Sequence, residues 1–355
     1  MRAQFAEPLV ITINGDFWAW YGDAAQPPNR VTEWGYNSPP VMSPDNSRIA
    51  YNSTAQMVVA VGGAGGGALP SNIWVADPRT GSGTRVVDQP EGASFMTAGV
   101  ADLGVVRSNP AWSPDGGRLA WAEQTYPAAL DSLIVHDINS GLTQPIVTGL
   151  PPSPGVAAPK EVLWGSNGIV VRDAQLDSDL FSLYTPDGSL LASFQVGGGG
   201  RVVTYYALMV ASGREMLGVL FNDGVWELFD LVSGASQLAD GIPEMYSLRA
   251  GDGSLSLSPT INEVGGFSWR VLATDGSVIT TFASAPVFLP RRYAISPDGQ
   301  AVAYSDYFEE QGGFANTVNV WQGGVVTVVT NPVDLPLIGA VTWGATGWRV
   351  RPGVG

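Results

Sequence analysis

The chain has 355 residues, enough for one large domain or two ordinary ones, and it contains no cysteine, so no disulfide can form. A formal net charge of −15 excludes nucleic acid as a partner, because affinity for phosphates comes mostly from lysine and arginine. Hydrophobic residues make up 45% of a chain that also holds 45 glycines and 26 prolines. This composition argues against disorder and predicts short apolar strands separated by turns, as in an all-β protein.

No apolar run approaches the length of about 18 residues that a membrane-spanning helix needs, so no membrane span is predicted. The first residues, Met1 to Gln4, lead directly into polar sequence. We therefore expect that any secretion signal has been removed or never existed.

Near the N-terminus, the apolar and aromatic residues 17–20 and the residues 30–32 predict two strands joined by a proline-containing loop. They resemble the later strand pairs in register, and they could complete a set of strands that is left unfinished at the C-terminus. Residues 9–13 predict a further strand, which competes with residues 348–351 for the same position. The sequence leaves this choice open.

A turn phrase then recurs along the chain: Ser43-Pro44-Asp45-Asn46, Ser113-Pro114-Asp115-Gly116 and Ser296-Pro297-Asp298-Gly299. Each copy precedes an alternating apolar strand. Serine accepts from the backbone, proline presets φ, and the final Gly or Asn adopts the left-handed conformation that closes a tight hairpin. The phrase therefore predicts a strand, a turn and a second strand.

Weaker copies close at Gly168, Gly213, Gly253 and Gly347, so the closing residues recur at intervals of 40 to 70 residues. A second hairpin signal follows most copies, for example after residues 73–77, 133–137 and 226–230. The period is near that of a four-stranded propeller blade. We predict a single domain over residues 1–355, a seven-bladed β-propeller of four-stranded antiparallel blades. Strands from both termini, two of them near 340–343 and 348–351, would close the ring in one blade.

The Ser-Pro-Asp-Gly phrases at Ser43, Ser113 and Ser296 resemble those of the TolB-type, WD-repeat-like β-propellers of bacteria. The resemblance covers nearly the whole chain, and it implies a propeller in an extracytoplasmic setting: periplasmic, cell-surface or secreted. Similar repeats also form the non-catalytic domain of prolyl-oligopeptidase-like peptidases, so the resemblance implies a scaffold rather than a particular activity.

Nothing in the sequence predicts an enzyme or a bound cofactor. A G-x-S-x-G elbow and cysteine are both absent, so acyl transfer would depend on His136, which reads as an ordinary strand residue. One histidine without cysteine also excludes the usual zinc and copper ligand sets. The glycine runs 62–67 and 197–200 lack a strand–helix context and a lysine, so we interpret them as flexible loops and not as phosphate sites.

In a propeller, the loops between the second and third strands and the connections to the next blade lie on one face. Here that face would carry mostly acids, including Glu123, Asp131, Asp223, Glu263 and Asp306. As ligand-binding candidates we take Tyr126, Asp173, Asp177, Asp179, Tyr307, Phe308, Glu309 and Glu310. Carboxylates among exposed aromatics suit a basic protein or peptide. The alternative interpretation is that an acidic protein places acids on any loop face.

Three alternatives stay open beside a non-enzymatic scaffold for a protein partner. Clustered carboxylates at Asp173, Asp177 and Asp179 could bind Ca²⁺, although their spacing matches no EF-hand. A ligand-binding or hydrolytic propeller could act on glycan, although most tryptophans, such as Trp74, Trp112 and Trp121, fall in strand phrases that predict core. The chain could also assemble with copies of itself into a surface layer or filament. The sequence does not predict the oligomeric state.

Overall fold

The structure, a computed structural model, describes residues 5, 7–60, 69–94, 104–126, 130–153, 159–211, 213–239, 248–249, 255–261, 267–273, 275–282, 293–310, 313–330 and 338–343. All structural statements below concern these residues. Within them the chain forms seven antiparallel sheets.

The first strands are β1 (Leu9–Ile13), β2 (Asp16–Trp20) and β3 (Asn29–Arg30). Sheet 1 follows with β4 (Val41–Met42), β5 (Ile49–Thr54), the short helix α1 (Gln56–Ala60), β6 (Ser71–Ala76) and β7 (Gly83–Val87). Sheet 2 has β8 (Gly104–Arg107), β9 (Ala111–Trp112), β10 (Arg118–Tyr126), β11 (Leu130–Asp137) and β12 (Thr143–Leu150). Its first position is shared, because β8 and β9 pair with successive parts of β10.

Sheet 3 has β13 (Glu161–Gly165), β14 (Gly168–Ala174), β15 (Ser178–Tyr184) and β16 (Leu190–Gly197). Sheet 4 has β17 (Val203–Ala211), β18 (Arg214–Phe221), β19 (Trp226–Asp230) and β20 (Ser236–Leu238). Sheet 5 has β21 (Leu248–Arg249), β22 (Leu255–Ile261), β23 (Phe267–Ala273) and β24 (Val278–Phe282). Sheet 6 has β25 (Tyr293–Ile295), β26 (Ala301–Glu310), β27 (Gly313–Gln322) and β28 (Val325–Val328).

Sheet 7 combines strands from the two ends of the described chain, in the order β29 (Ile338–Trp343), β1, β2, β3. Leu9 pairs with Trp343, and Leu9 and Ile11 are fully buried, so the apolar run 9–13 belongs inside the sheet. This settles the choice that the sequence left open. The expected arrangement of two N-terminal and two C-terminal strands was wrong, because β1 occupies the second position. Residues 348–351 lie outside the described residues.

The turn phrases form as predicted. The hydroxyl of Ser113 accepts from the Arg118 amide at 2.8 Å and donates to Asp115 at 2.5 Å, and the Ser43 hydroxyl makes the equivalent contacts at 2.9 and 2.6 Å. The predicted closing residues 46, 116, 168, 213 and 299 all have positive φ. The predicted closing residues 253 and 347 lie outside the described residues.

Each sheet packs against the next through buried apolar side chains. Trp112 and Trp121 of sheet 2 share a cluster with Ile73 of sheet 1, which confirms their predicted core role. Further clusters join sheets 2 and 3, sheets 3 and 4, and sheets 4, 5 and 6. Sheet 7 contacts sheet 6 through one cluster and sheet 1 through another. The inter-sheet contacts therefore run through all seven sheets and return to the first.

Among the described residues, no helix has the length and apolar character that crossing a membrane requires.

Candidate functional site

The two ends of each sheet are built differently. Hairpins between the first and second strands and between the third and fourth strands leave at one end, here called the turn end. The loop between the second and third strands and the connection to the next sheet leave at the other end, here called the connector end. The predicted ligand-binding residues all lie at connector ends, because each is near the end of a second strand, near the start of a third strand or in the loop between them.

The connector ends carry basic partners for their acids, which the sequence did not reveal. Arg107 lies 2.6 Å from Glu123, and Arg201 lies 2.9 Å from Asp223 and 2.6 Å from Glu227. The expectation of a face with almost only acidic charge is therefore corrected: these carboxylates are neutralised by arginines that come from first strands or from the connections before them.

Asp173 lies in a buried ion cluster. The ammonium group of Lys160 is 2.9 Å from Asp173 Oδ2 and 3.7 Å from Asp131 Oδ2, and Ser153 donates to Asp173 Oδ1 at 2.5 Å. Gln124 donates to the other oxygen of Asp131 at 3.0 Å. Burial raises the pKa of Asp131, and the charge of Lys160 opposes that shift. This cluster joins sheets 2 and 3 and contains the single lysine of the chain.

Asp179 is also buried and paired. The Arg172 guanidinium lies 2.8 Å from Asp179 and 2.6 Å from Glu161, and it stacks 4.8 Å from the ring centre of Tyr206. The Tyr206 hydroxyl donates to Glu161, while burial raises the pKa of this phenol. Burial disfavours the charge of Arg172, but the surrounding phenol and carboxylates outweigh it and raise its pKa.

Asp177 alone of the three clustered aspartates is exposed, beside Leu176, whose exposed fraction is 83%. The structure does not bring the three carboxylates together, because Asp173 faces Lys160 and Asp179 faces Arg172. Within the described residues, no group of three acidic, histidine or cysteine side chains is placed to hold a metal ion.

The run 306–310 forms part of a long hairpin and not a loop. Pairing between β26 and β27 continues to Glu310 opposite Gly313. Among the described residues, β26 pairs with β25 only as far as Tyr304, and the backbone contacts on the β28 side end at Val318. The described pairing of residues 305–310 is therefore with β27 alone. Six residues of strand correspond to about 20 Å.

The remaining candidates are placed as follows. Tyr126 is the last residue of β10, opposite Gly104. Glu263 and the glycine run 62–67 lie outside the described residues. The second run, 197–200, ends β16 with positive φ at all four glycines and closes a small turn in which Gly198 and Arg201 exchange backbone hydrogen bonds, so it is a turn at a strand end.

His136 has the local role predicted for it. It is buried, and its Nδ1 lies 2.8 Å from the Thr143 hydroxyl on the neighbouring strand. Burial lowers its pKa, which favours the neutral ring. Its position next to the 3–4 turn places it at the turn end of sheet 2.

The connection from β3 to β4 has a hydrogen-bonded structure that the sequence did not predict. The Asp16 carboxylate accepts hydrogen bonds from the Thr32 hydroxyl and from the amides of Trp34 and Gly35 at 2.8 to 2.9 Å. Arg30 also pairs with it at 2.5 Å. The aspartate that begins β2 was the available signal, but an acid beside a turn is too common to single out.

Comparisons with known proteins identify the fold. No family model and no curated protein matches the chain. An oligogalacturonate lyase solved with manganese is 12% identical, with TM-score 0.51, over 88% of this chain and 82% of that one. TolB from Acinetobacter baumannii is 13% identical, with TM-score 0.43, over 95% of this chain. The β-propeller domain of the Trilobed protease from Pyrococcus furiosus is 13% identical, with TM-score 0.48, over 83% of each chain.

This chain spans 66% of the length of that TolB. The structures similar to it are thus TolB and other β-propeller proteins, as the resemblance in the turn phrases implied. At these identities the similarity concerns the fold alone.

Proposed function

We propose that the chain is a single-domain, seven-bladed β-propeller that acts as a non-enzymatic scaffold and binds a basic protein or peptide. The seven sheets would be the blades, and the contacts that run from sheet 1 to sheet 7 and back support a closed ring. Pairing of β29 with β1 would close it within one blade. We place the protein outside the cytoplasm, on the resemblance of its turn phrases to TolB-type propellers.

The long hairpin β26–β27 is the observation that carries this proposal. Its residues 306–310 are three acids and two aromatics, and residue 314 is a further phenylalanine. Antiparallel pairing with β27 fixes the backbone of this run as far as Glu310. Aromatic residues are enriched among the side chains that dominate binding energy, and acids steer a basic partner towards the surface.

Partner capture from the envelope fraction of the source cell tests the proposal. The test variant combines Tyr307→Ser, Phe308→Ser, Glu309→Ala and Glu310→Ala. The control variant combines Val325→Ser and Val326→Ser, two half-exposed positions on the outer strand of the same sheet. We expect a specific protein to be retained by the wild type and the control and lost from the test variant, with unchanged thermal midpoints. Equal retention by all three would overturn a role for the hairpin.

A glycan ligand is the second candidate, favoured by the structural similarity to a lyase whose name specifies oligogalacturonate and manganese. It has less support in this chain, since four acids at the connector ends are paired with arginine or lysine: Glu123, Asp173, Asp179 and Asp223. Retention on a glycan array, or a calcium- or manganese-dependent rise in the thermal midpoint, would favour it. Growth of assemblies with concentration in light scattering would instead favour self-assembly.

A further inference from the structure

Two aromatic side chains are displayed at the connector end between sheets 7 and 1. Trp34 and Tyr36 pack edge to face, with ring centres 5.7 Å apart. Tyr36 is 37% exposed and Trp34 is partly exposed. Tryptophan and tyrosine are enriched at interfaces, because they combine a large apolar surface with a polar group.

Hydrogen bonds with Asp16 and Thr54 hold the segment that carries the pair in place. The Asp16 carboxylate binds the backbone amides of Trp34 and Gly35 at 2.8 and 2.9 Å. The Trp34 indole nitrogen donates to the Thr54 carbonyl at 3.0 Å, and the Tyr36 carbonyl accepts from the Thr54 amide at 3.1 Å. Little side-chain entropy is left to lose on binding, which is the advantage of a pre-organised contact.

Sheet 2 provides an internal comparison, because its first strand is interrupted in the same way. Ser38 and Ser108 each accept an amide from the second strand with the hydroxyl, and each donates its own amide to a carbonyl of that strand. The partner residue is Asn52 in sheet 1 and Ala122 in sheet 2. The two segments before these serines are therefore structurally equivalent.

Counted back from those serines, Trp34 corresponds to Gly104 and Tyr36 to Val106. Val106 is 2% exposed and pairs with Gln124 as Tyr36 pairs with Thr54. The fold thus accepts a glycine and a valine at these two positions. Strand pairing does not require the aromatic rings of sheet 1, so their presence needs another explanation.

The surroundings of the pair are acidic. Glu33 is exposed and forms no ion pair with any part of the chain that the structure describes. The only base nearby in sequence, Arg30, is occupied by Asp16, and that hydrogen bond raises the pKa of Arg30, to which the charge of Glu33 adds. The carboxylate next to Trp34 in the sequence is therefore available to a cation that binds this segment.

We propose that Trp34 and Tyr36 form an aromatic seat for a cationic side chain, an arginine, of an extended segment of the partner. Guanidinium groups bind over tryptophan and tyrosine faces, and Glu33 would supply the complementary charge. This inference rests on the proposed function, since it names the chemistry by which a basic partner would be recognised. It also predicts a second contact region apart from the hairpin β26–β27.

Fluorine NMR of the protein labelled with 5-fluorotryptophan tests the seat without the natural partner. The chain has 12 tryptophans, and the signal of Trp34 is assigned as the one that is absent from the spectrum of the Trp34→Phe variant. The probe is a five-residue peptide with one arginine flanked by glycine and serine, and its matched control has citrulline, which is neutral and nearly isosteric. We expect a saturable shift of the Trp34 signal, with the arginine peptide about two- to fivefold tighter than the citrulline peptide.

Two variants that keep the loop intact sharpen the result. Glu33→Gln should weaken arginine binding about twofold at low salt, whereas Glu91→Gln, another exposed glutamate at a connector end, should leave it unchanged. Tyr36→Ser should weaken binding of the arginine peptide further. The thermal midpoint of this variant shows whether its fold is intact. Equal shifts with both peptides, or shifts at other tryptophans only, would overturn the inference. Because this titration needs no natural partner, its failure is distinguishable from failure of the hairpin experiment.

Discussion

The turn ends and connector ends of the same sheets are stabilised by different kinds of contact. Within the recurring serine turns at the turn ends, the hydrogen bonds join residues two to five positions apart, and the bond from a backbone amide to the serine hydroxyl recurs at Ser43, Ser113 and Ser296. At the connector ends, the ion pairs join distant residues, such as Lys160 with Asp131 and Arg201 with Glu227. The repeated end defines the architecture, and the varied end is where recognition can differ without loss of fold.

The largest effect expected from this contrast follows from removing the cation of the buried cluster. Lys160→Met leaves Asp131 and Asp173 buried without a counter-charge, which should lower the free energy of unfolding by about 3–5 kcal/mol. Denaturant unfolding at pH 7 measures it. Adding Asp131→Asn and Asp173→Asn to Lys160→Met should recover most of the loss. A loss below about 1 kcal/mol would contradict a charge cluster closed to water.

At the turn ends, Ser113→Ala and Ser296→Ala should each lower the free energy of unfolding by about 1–2 kcal/mol, since a backbone amide loses its acceptor. Both hydroxyl-bearing side chains are 1% exposed, so water cannot easily replace them. The exposed Ser140 serves as control, and Ser140→Ala should cost less. Clearly unequal losses at Ser113 and Ser296 would show that the repeated contacts are not equivalent.

The pH dependence of stability should have opposite signs at the two ends. At Asp115, the hydrogen bond from Ser113 lowers the pKa from 3.8, so its stabilisation is present above that pH and is lost as the pH falls through the folded-state value. At Asp131, burial raises the pKa from 3.8, so its contribution is present below that pH and is lost as the pH rises.

Thermal midpoints measured from pH 7 down to pH 3 would reveal these signs. The difference between wild type and Ser113→Ala should shrink on acidification. The difference between wild type and Asp131→Asn should instead shift in favour of the wild type. If the two differences in thermal midpoint changed with pH in the same direction, the two ends would not differ in the sign of their pH dependence.

The smallest effect is expected for the partly exposed ion pairs of Arg201 at the connector end. The Arg201 side chain is 36% exposed, so solvent already screens its contacts with Asp223 and Glu227. Arg201→Met should lower the free energy of unfolding by no more than about 1 kcal/mol, and high salt should reduce the difference further. A loss as large as that of Lys160→Met would mean that burial does not decide the strength of these pairs.

The sequence predicted the turn ends well because their contacts are local. Ser113, Asp115 and Gly116 each have a conformational task that can be read from three or four neighbouring letters. It also predicted which loops share the connector end. It did not predict that Lys160 would contact Asp131, because 28 intervening positions and a sheet boundary separate them.

The same limit applies to sheet 7 and to the aromatic seat. Residues 9–13 were recognised as a strand, but their place depended on pairing with β29, more than 300 residues away. Trp34 and Tyr36 carry no local signal at all. Their exposure follows from how Asp16 folds the connection over the end of β5, which only the assembled sheets show.

The pairing of β1 with β29 also has a consequence for synthesis. Leu9 leaves the ribosome early, yet its partner Trp343 is added 334 residues later. At a synthesis rate of about 5–20 residues per second, the backbone edge of β1 stays unpaired for about 15–70 seconds, beside the apolar side chains of Val10 and Ile11. An uncovered strand edge invites pairing with other chains. The synthesis of β29 thus determines when this edge becomes covered, and termination before Ile338 would leave the edge exposed.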